Sequence, residues 1–254
     1  MQSHDEQVNQ QFGQVAAAYL TSKAHAQGED LERLSALTRG QSDAVVLDLG
    51  CGAGHVSFAV APNIAKVVAY DLSAEMLAVV AAEAAQRGLA NLVTHQGVAE
   101  ALPFPTGSFD FVLTRFSAHH WSDLSKALSE MRRVLKRGGS IVVIDVIAPD
   151  LPLIDTHLQC IELLRDISHV RNYAYVEWQR QFEQAGLRID ASDKWKLPLN
   201  FDAWVTRMCT PSDRVAVIRG LLRGAPQEVR HYLALQEDDS FAIDVAMFRV
   251  SCHS

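Results

Sequence analysis

The chain has 254 residues, a net charge of −7, 48% hydrophobic and 21% charged side chains, an ordinary globular composition long enough for one sizeable core. The negative balance offers no basic field to a nucleic acid, no apolar run of about 20 residues is present to span a membrane, and Met1–Glu6 is polar and acidic, unlike a secretory signal. Cys51, Cys160, Cys209 and Cys252 form no C-x-x-C pair, which suits reduced thiols in a cytoplasm and argues against a disulfide frame or a zinc site.

Residues 1–40 read as helical, with Phe12, Val15, Ala16 and Tyr19, then Leu31, Leu34 and Leu37, at helical spacing. Val45–Leu49 is a short apolar run, the pattern of a strand buried on both faces. The turn Gly50-Cys51-Gly52-Ala53-Gly54 follows, then a helix from about His55 to Ala61 stopped by Pro62. Lys66–Tyr70 is a second strand ending in Asp71. Ser73 is placed to cap a helix with Met76, Leu77, Val80 and Ala84 on one face and Gly88 just beyond its end.

Asn91–His95 and Phe109–Thr114 read as the third and fourth strands. Ser122 is the expected cap of a helix running to about Arg137, stopped by Gly138-Gly139, and Ile141–Val146 is a fifth strand. After Pro149 come helices at about Leu153–Ile167 and Tyr175–Ala185, a sixth strand near Arg188–Lys196, a largely helical stretch 200–236, and a closing strand Phe241–Val250. Strands alternating with helices imply a parallel sheet with right-handed crossovers.

Strand, glycine turn and helix open a nucleotide-binding α/β unit. The dinucleotide fingerprint would put its third glycine where this chain has His55; the spacing here is G-x-G-x-G. Asp48 before the turn would repel a pyrophosphate and attract an ammonium or a sulfonium, and S-adenosylmethionine (SAM) carries both cations beside an adenosine. Asp71 lies 21 positions after Gly50, where an acid accepts hydrogen bonds from ribose hydroxyls.

Asp48-Leu49-Gly50-Cys51-Gly52-Ala53-Gly54 resembles the first motif of class I SAM-dependent methyltransferases. Gln96-Gly97-Val98-Ala99-Glu100-Ala101-Leu102-Pro103-Phe104-Pro105, followed by Gly107-Ser108-Phe109-Asp110, resembles a stretch of the small-molecule group (methyltransferase type 11-like) that includes ubiquinone/menaquinone-biosynthesis C-methyltransferases. In that pattern an acid after the glycine bonds the adenine amino group. Here Val98 stands there, leaving the Ala99 N–H and apolar contact from Val98, Leu72 and Met76 to hold the ring. The N-terminal Phe12…Tyr19 stretch resembles the helix that closes over SAM, which implies Tyr19 near the methionine end.

Ligand contacts in open α/β sheets gather at the carboxyl ends of the strands, so the loop after strand four should line the site. That loop brings Arg115, Ser117, His119 and His120. It is similar to the family's stretch ending in His-His and an apolar residue. Adjacent residues seldom serve one metal, so no metal site is expected; His119 and His120 are candidates for a general base or for positioning the substrate. Arg115 is placed to neutralise an acidic group, Glu100 being one partner. The polar run Arg165–Tyr173, with His169, Arg171 and Tyr173, is the candidate substrate site.

The resemblance implies a Rossmann-like three-layer α/β sandwich with a mostly parallel seven-stranded sheet, one strand antiparallel, and helical lid additions. It implies one domain over residues 1–254: a lid at 1–40, a SAM-binding core at 41–147, and a C-terminal part at 148–254 with substrate-side insertions. The expected activity is transfer of the SAM methyl group to a small molecule by direct displacement, leaving S-adenosylhomocysteine (SAH). A homodimer is compatible with this reading. The alternatives are a SAM- or SAH-binding protein without turnover, and an NAD-dependent oxidoreductase, which the glycine spacing and Asp48 oppose.

Overall fold

The computed structural model describes residues 2–20 (backbone alone for 14–20) and 28–252. Two helices, α1 (His4–Leu20) and α2 (Glu29–Thr38), precede the first strand, β1 (Val45–Leu49). Then follow α3 (His55–Val60), β2 (Lys66–Asp71), α4 (Ala74–Gln86), β3 (Leu92–Gln96), β4 (Phe109–Arg115), α5 (Leu124–Val134) and β5 (Leu135–Ala148). The second half holds α6 (Pro152–Arg165), β6 (Tyr173–Ala174), α7 (Tyr175–Gln184), β7 (Leu187–Leu199), α8 (Phe201–Arg207), α9 (Ser212–Arg223), α10 (Gln227–Tyr232) and β8 (Phe241–Cys252).

The strands lie in the order β3-β2-β1-β4-β5-β8-β7. All neighbours from β3 to β5 are parallel, and β8 enters antiparallel between β5 and β7. The expected architecture is therefore present, with one addition: the two-residue β6 pairs with the end of β5. Two residues are too few for any alternation to announce a strand.

The period of two sorts side chains between the layers. Leu47, Leu49, Ile141 and Val143 face a core shared with α5 and α7, including Leu128, Met131, Trp178 and Phe182. Val46, Val142 and Ile144 face the opposite core, with Leu34 of α2, Phe58 of α3 and Val80 of α4. A third apolar cluster joins α6, α8, α9 and α10 to Val146, Leu199 and Ile243 at the ends of β5, β7 and β8. These additions roof the carboxyl ends of the parallel strands, where a ligand would sit.

Ser73 caps α4 as expected, its Oγ accepting from the Met76 N–H at 3.3 Å. The next cap differs. Asp123, not Ser122, accepts from the Lys126 N–H and starts α5. That helix stops at Val134 rather than Arg137, because Leu135 turns extended to pair with Phe109, and Lys136 reaches Asp110 at 2.7 Å. Among the described residues no helix is long and apolar enough to cross a membrane.

Candidate active site

The glycine turn after β1 needs its glycines for three reasons. Gly50, Gly52 and Gly54 have φ of 68°, 51° and 84°, a region costly for other residues. A Cβ on Gly50 would lie 1.9 Å from Ser117 Oγ, so the turn can press against the loop after β4 only as glycine. Gly54 starts α3 and would strike Val80 and Phe58 at about 3 Å. At Gly52 the space a Cβ would take is open and belongs to a cavity that the turn lines. A backbone edge with no side chain in front of it is what a close-fitting nucleoside-amino acid ligand requires.

Asp71 organises the turn from β2. Its Oδ2 accepts from the Gly52 N–H at 2.8 Å and its Oδ1 from the Ser73 N–H at 2.9 Å. Burial pushes its pKa up, against these backbone hydrogen bonds. Each oxygen keeps a second lone-pair direction for a ligand hydroxyl. Leu72, Met76, Gly97, Val98, Ala99 and Glu100 line the same end of the cavity. Gly97 sits where a Cβ would meet the Tyr70 hydroxyl at 1.9 Å, and that hydroxyl donates to the Val98 carbonyl at 3.1 Å.

Two expectations need correction here. Asp48 does not line the cavity: it is 1% exposed and turned to α3, accepting from Ser57 Oγ at 2.6 Å and the Ser57 N–H at 2.9 Å. On a strand buried on both faces its side chain follows Val46 to the α3 side. Burial pushes its pKa up to about 7 despite the Ser57 hydrogen bonds. Arg115 does line the cavity, but it pairs with the buried Asp30 of α2 and lies on the Phe116 ring at 4.7 Å. Glu100 instead accepts from Ser122 Oγ and the Asp123 N–H, fastening the start of α5.

The adjacent histidines part ways. His119 Nδ1 donates to Asp145 Oδ1 at 2.6 Å, leaving Nε2 without a hydrogen-bond partner among the described residues. Burial lowers its pKa, but the charge and hydrogen bond of Asp145 outweigh this and the net shift is upward. His120 Nδ1 donates to the Ser168 carbonyl at 3.0 Å, and burial together with its neighbour His119 pushes its pKa down. Its backbone carbonyl accepts from His4 of α1 at 2.9 Å, and the Phe12 ring stands edge-on to its imidazole at 4.9 Å. Asp5, Val8 and Phe12 thus close the cavity from α1. The Tyr19 side chain lies outside the described residues.

The substrate candidates shift along the chain. His169 is 6% exposed behind His119, with its Nε2 on Gln159. Arg171 is spent on Glu177, and Tyr173 packs against Trp178. None of the three lines the cavity, whereas Arg165, Asp166 and Asn172 do. Extended backbone points alternate residues in opposite directions, and here it is Asn172 that turns inward. The cavity also reaches Glu162, Trp204 and Arg207, which local patterning hides inside apolar helices. Asp145 was findable: it is the lone acid in the apolar run 141–148 that ends β5.

A Rossmann-like sheet with this strand order, whose glycine edge and acid meet a cavity, defines a class I methyltransferase. The Methyltransferase domain family matches residues 47–143. The chain is 50% identical over 198 residues to the uncharacterized protein YafE of Escherichia coli (strain K12), covering 78% of this chain and 96% of that one. It is 38% identical over 219 residues to the uncharacterized methyltransferase YcgJ of Bacillus subtilis (strain 168), covering 86% and 87%. The YcgJ crystal structure superposes with a TM-score of 0.85 over 88% of this chain and 98% of that one, at 34% identity. A demethylmenaquinone methyltransferase of Chlorobaculum parvum is 36% identical over 116 residues, 45% of this chain and 46% of that protein. The chain belongs to the SAM-dependent methyltransferase family and is an enzyme of methyl transfer.

Proposed function

We propose that the enzyme transfers the methyl group of SAM to a small molecule held at the inner end of this cavity. The observation that carries the reading is the continuity of one cavity, with the bare glycine edge at one end and His119, Glu162 and Arg165 at the other. SAM, when bound, supplies an electrophilic methyl on a sulfonium, with a neutral thioether as leaving group.

Asp71 holds the ribose hydroxyls with its remaining lone pairs. Gly50, Cys51, Gly52 and Gly54 shape the edge for the methionine arm, with Asp48 supporting them from beneath through Ser57. Leu72, Met76, Val98 and the Ala99 N–H wall the adenine, Gly97 and Glu100 setting their backbone. Ser117 and Arg115 close the side facing α2, and Asp5, Val8 and Phe12 close it from α1. That helix acts as a lid, excluding water so that alignment of the acceptor with the S–CH₃ bond does most of the catalytic work.

His119, oriented by Asp145, is the base for an acceptor that must lose a proton, and His120 is its structural neighbour. The likeness to the demethylmenaquinone methyltransferase covers 45% of this chain, so the acceptor rests on the inner cavity. The four free cysteines suit a reducing cytoplasm. Calorimetry with SAH and with NAD tests the cofactor, SAH alone being expected to bind. Labelled-methyl transfer from SAM into a small-molecule extract then tests turnover, and its absence would leave a binding protein.

A further inference from the structure

Resting on the methyl-transfer reading of the same cavity, we propose that the acceptor is a neutral, mainly apolar small molecule whose hydroxyl or N–H donates to Glu162, with the Asn172 carboxamide as its second polar contact. Glu162 lies on α6, its side chain 8% exposed and facing the cavity. Its closest cation is Arg165 at 3.7 Å, beyond hydrogen-bond distance, and no described residue donates to either carboxylate oxygen. Arg165 is directed elsewhere, its Nε donating to the Trp204 carbonyl at 3.0 Å and its guanidinium lying over the Trp204 ring.

Asn172 is 1% exposed. Gln159 clamps its backbone on both sides, accepting from its N–H at 3.0 Å and donating to its carbonyl at 2.7 Å. Its side-chain Nδ2 has no partner among the described residues. Buried polar atoms are nearly always paired, and a buried carboxylate whose ion pair is too long for a hydrogen bond is a costly exception. Two such groups at one end of one cavity are satisfied together by a ligand.

Charge selects the class. Arg165 and Arg207 line this end and oppose an ammonium; Glu162 and Asp166 oppose a carboxylate. A neutral donor is what remains. Val146, Leu197, Leu199 and Ile243 supply an apolar wall for its body.

The test titrates the SAH-loaded full chain with four probes of one shape: 2-naphthol, 2-methoxynaphthalene, 2-naphthoate and 2-naphthylmethylammonium. 2-Naphthol is expected to bind at least tenfold more tightly than each of the others. Glu162→Leu should reduce the naphthol-to-ether preference below threefold, and Glu162→Gln, which keeps one acceptor oxygen, should fall between. SAH affinity should stay within twofold in both variants. Equal affinity for naphthol and its ether, preference for either ion, persistence of the preference in both variants, or no naphthol binding overturns the proposal. Failure of the wild type to bind SAH would instead sink the reading on which it rests.

Discussion

Asp145 grips His119 at two points, its Oδ1 2.6 Å from the imidazole Nδ1 and its Oδ2 3.2 Å from the backbone nitrogen. The same Oδ1 accepts from the Val146 N–H at 2.8 Å, so swinging the carboxylate away breaks a third hydrogen bond. The ring is thereby fixed in the tautomer that presents a bare Nε2.

If His119 is the base, the rate rises with pH as its neutral form grows. Because its pKa is raised, the inflection lies above the ordinary histidine value of about 6.5. His119→Ala should lower kcat roughly 100-fold while SAH affinity holds. Asp145→Asn should move the inflection downward, since burial is then opposed only by the smaller effects of Glu162 and Asp166. A kcat profile that is flat between pH 6 and 9 in the wild type would remove His119 from the proton path.

Asp71→Ala should weaken SAH binding roughly 10- to 100-fold, the loss of hydrogen bonds to a charged acceptor plus a slackened Gly52. The thermal midpoint should fall by only a few degrees, as the carboxylate sits at a strand end. Calorimetry and circular dichroism on the same preparation separate the two effects. Unchanged affinity would exclude the ribose role.

Gly50 and Gly52 should respond differently to alanine. Both sit at positive φ, worth about 1–2 kcal/mol of strain for a residue with a Cβ. Gly50→Ala adds a collision with Ser117 and should cost the larger share of stability. Gly52→Ala meets open space, so it should unfold little more easily than the strain alone requires, yet lose most SAH binding. Denaturant midpoints beside SAH titrations check the contrast.

Asp48 gives the protein a pH-dependent weakness. Its folded pKa of about 7 exceeds the ordinary aspartate value, so the folded state holds a proton that the unfolded chain releases. Stability from this group is present below pH 4 and is lost as pH rises through 7. Asp48→Asn keeps an acceptor for Ser57 and removes that loss, raising stability at pH 8 by up to about 4 kcal/mol, the value of a three-unit shift. Urea melts should show roughly a third of the gain at pH 5 and the whole of it at pH 8.

Val98 marks where the adenine side departs from the pattern that this chain resembles. Val98→Asp should tighten SAH binding roughly fivefold, about 1 kcal/mol for one regained hydrogen bond. Isothermal titration at fixed salt measures it, and weaker binding would mean that the ring is oriented otherwise.

Much of this site was legible from local pattern. The G-x-G-x-G turn, Asp71 at the end of β2, and the Gly97–Glu100 segment were all identified from residue order, and all line or border the cavity except Asp48. Such features are readable because a turn needing positive φ, or a strand buried on both faces, is dictated over five or six neighbouring residues. The partners were not. Arg115, for which Glu100 is one of the partners the sequence offers, meets Asp30, 85 residues away. His169, Arg171 and Tyr173 were the expected readers of the substrate, and the cavity receives Asn172 from between them.

The sequence by itself determined the order of the elements, the class of ligand and the edge that receives it, since backbone propensity and alternation act at short range. The tertiary structure decided which side of β1 takes Asp48, which acid orients His119, and which buried groups are left for an acceptor. Those outcomes depend on how elements that local pattern does not connect come together over the sheet. Glu162 is one more polar residue on an amphipathic helix until α6 and α8 close around it, and only then does its carboxylate lack a donor.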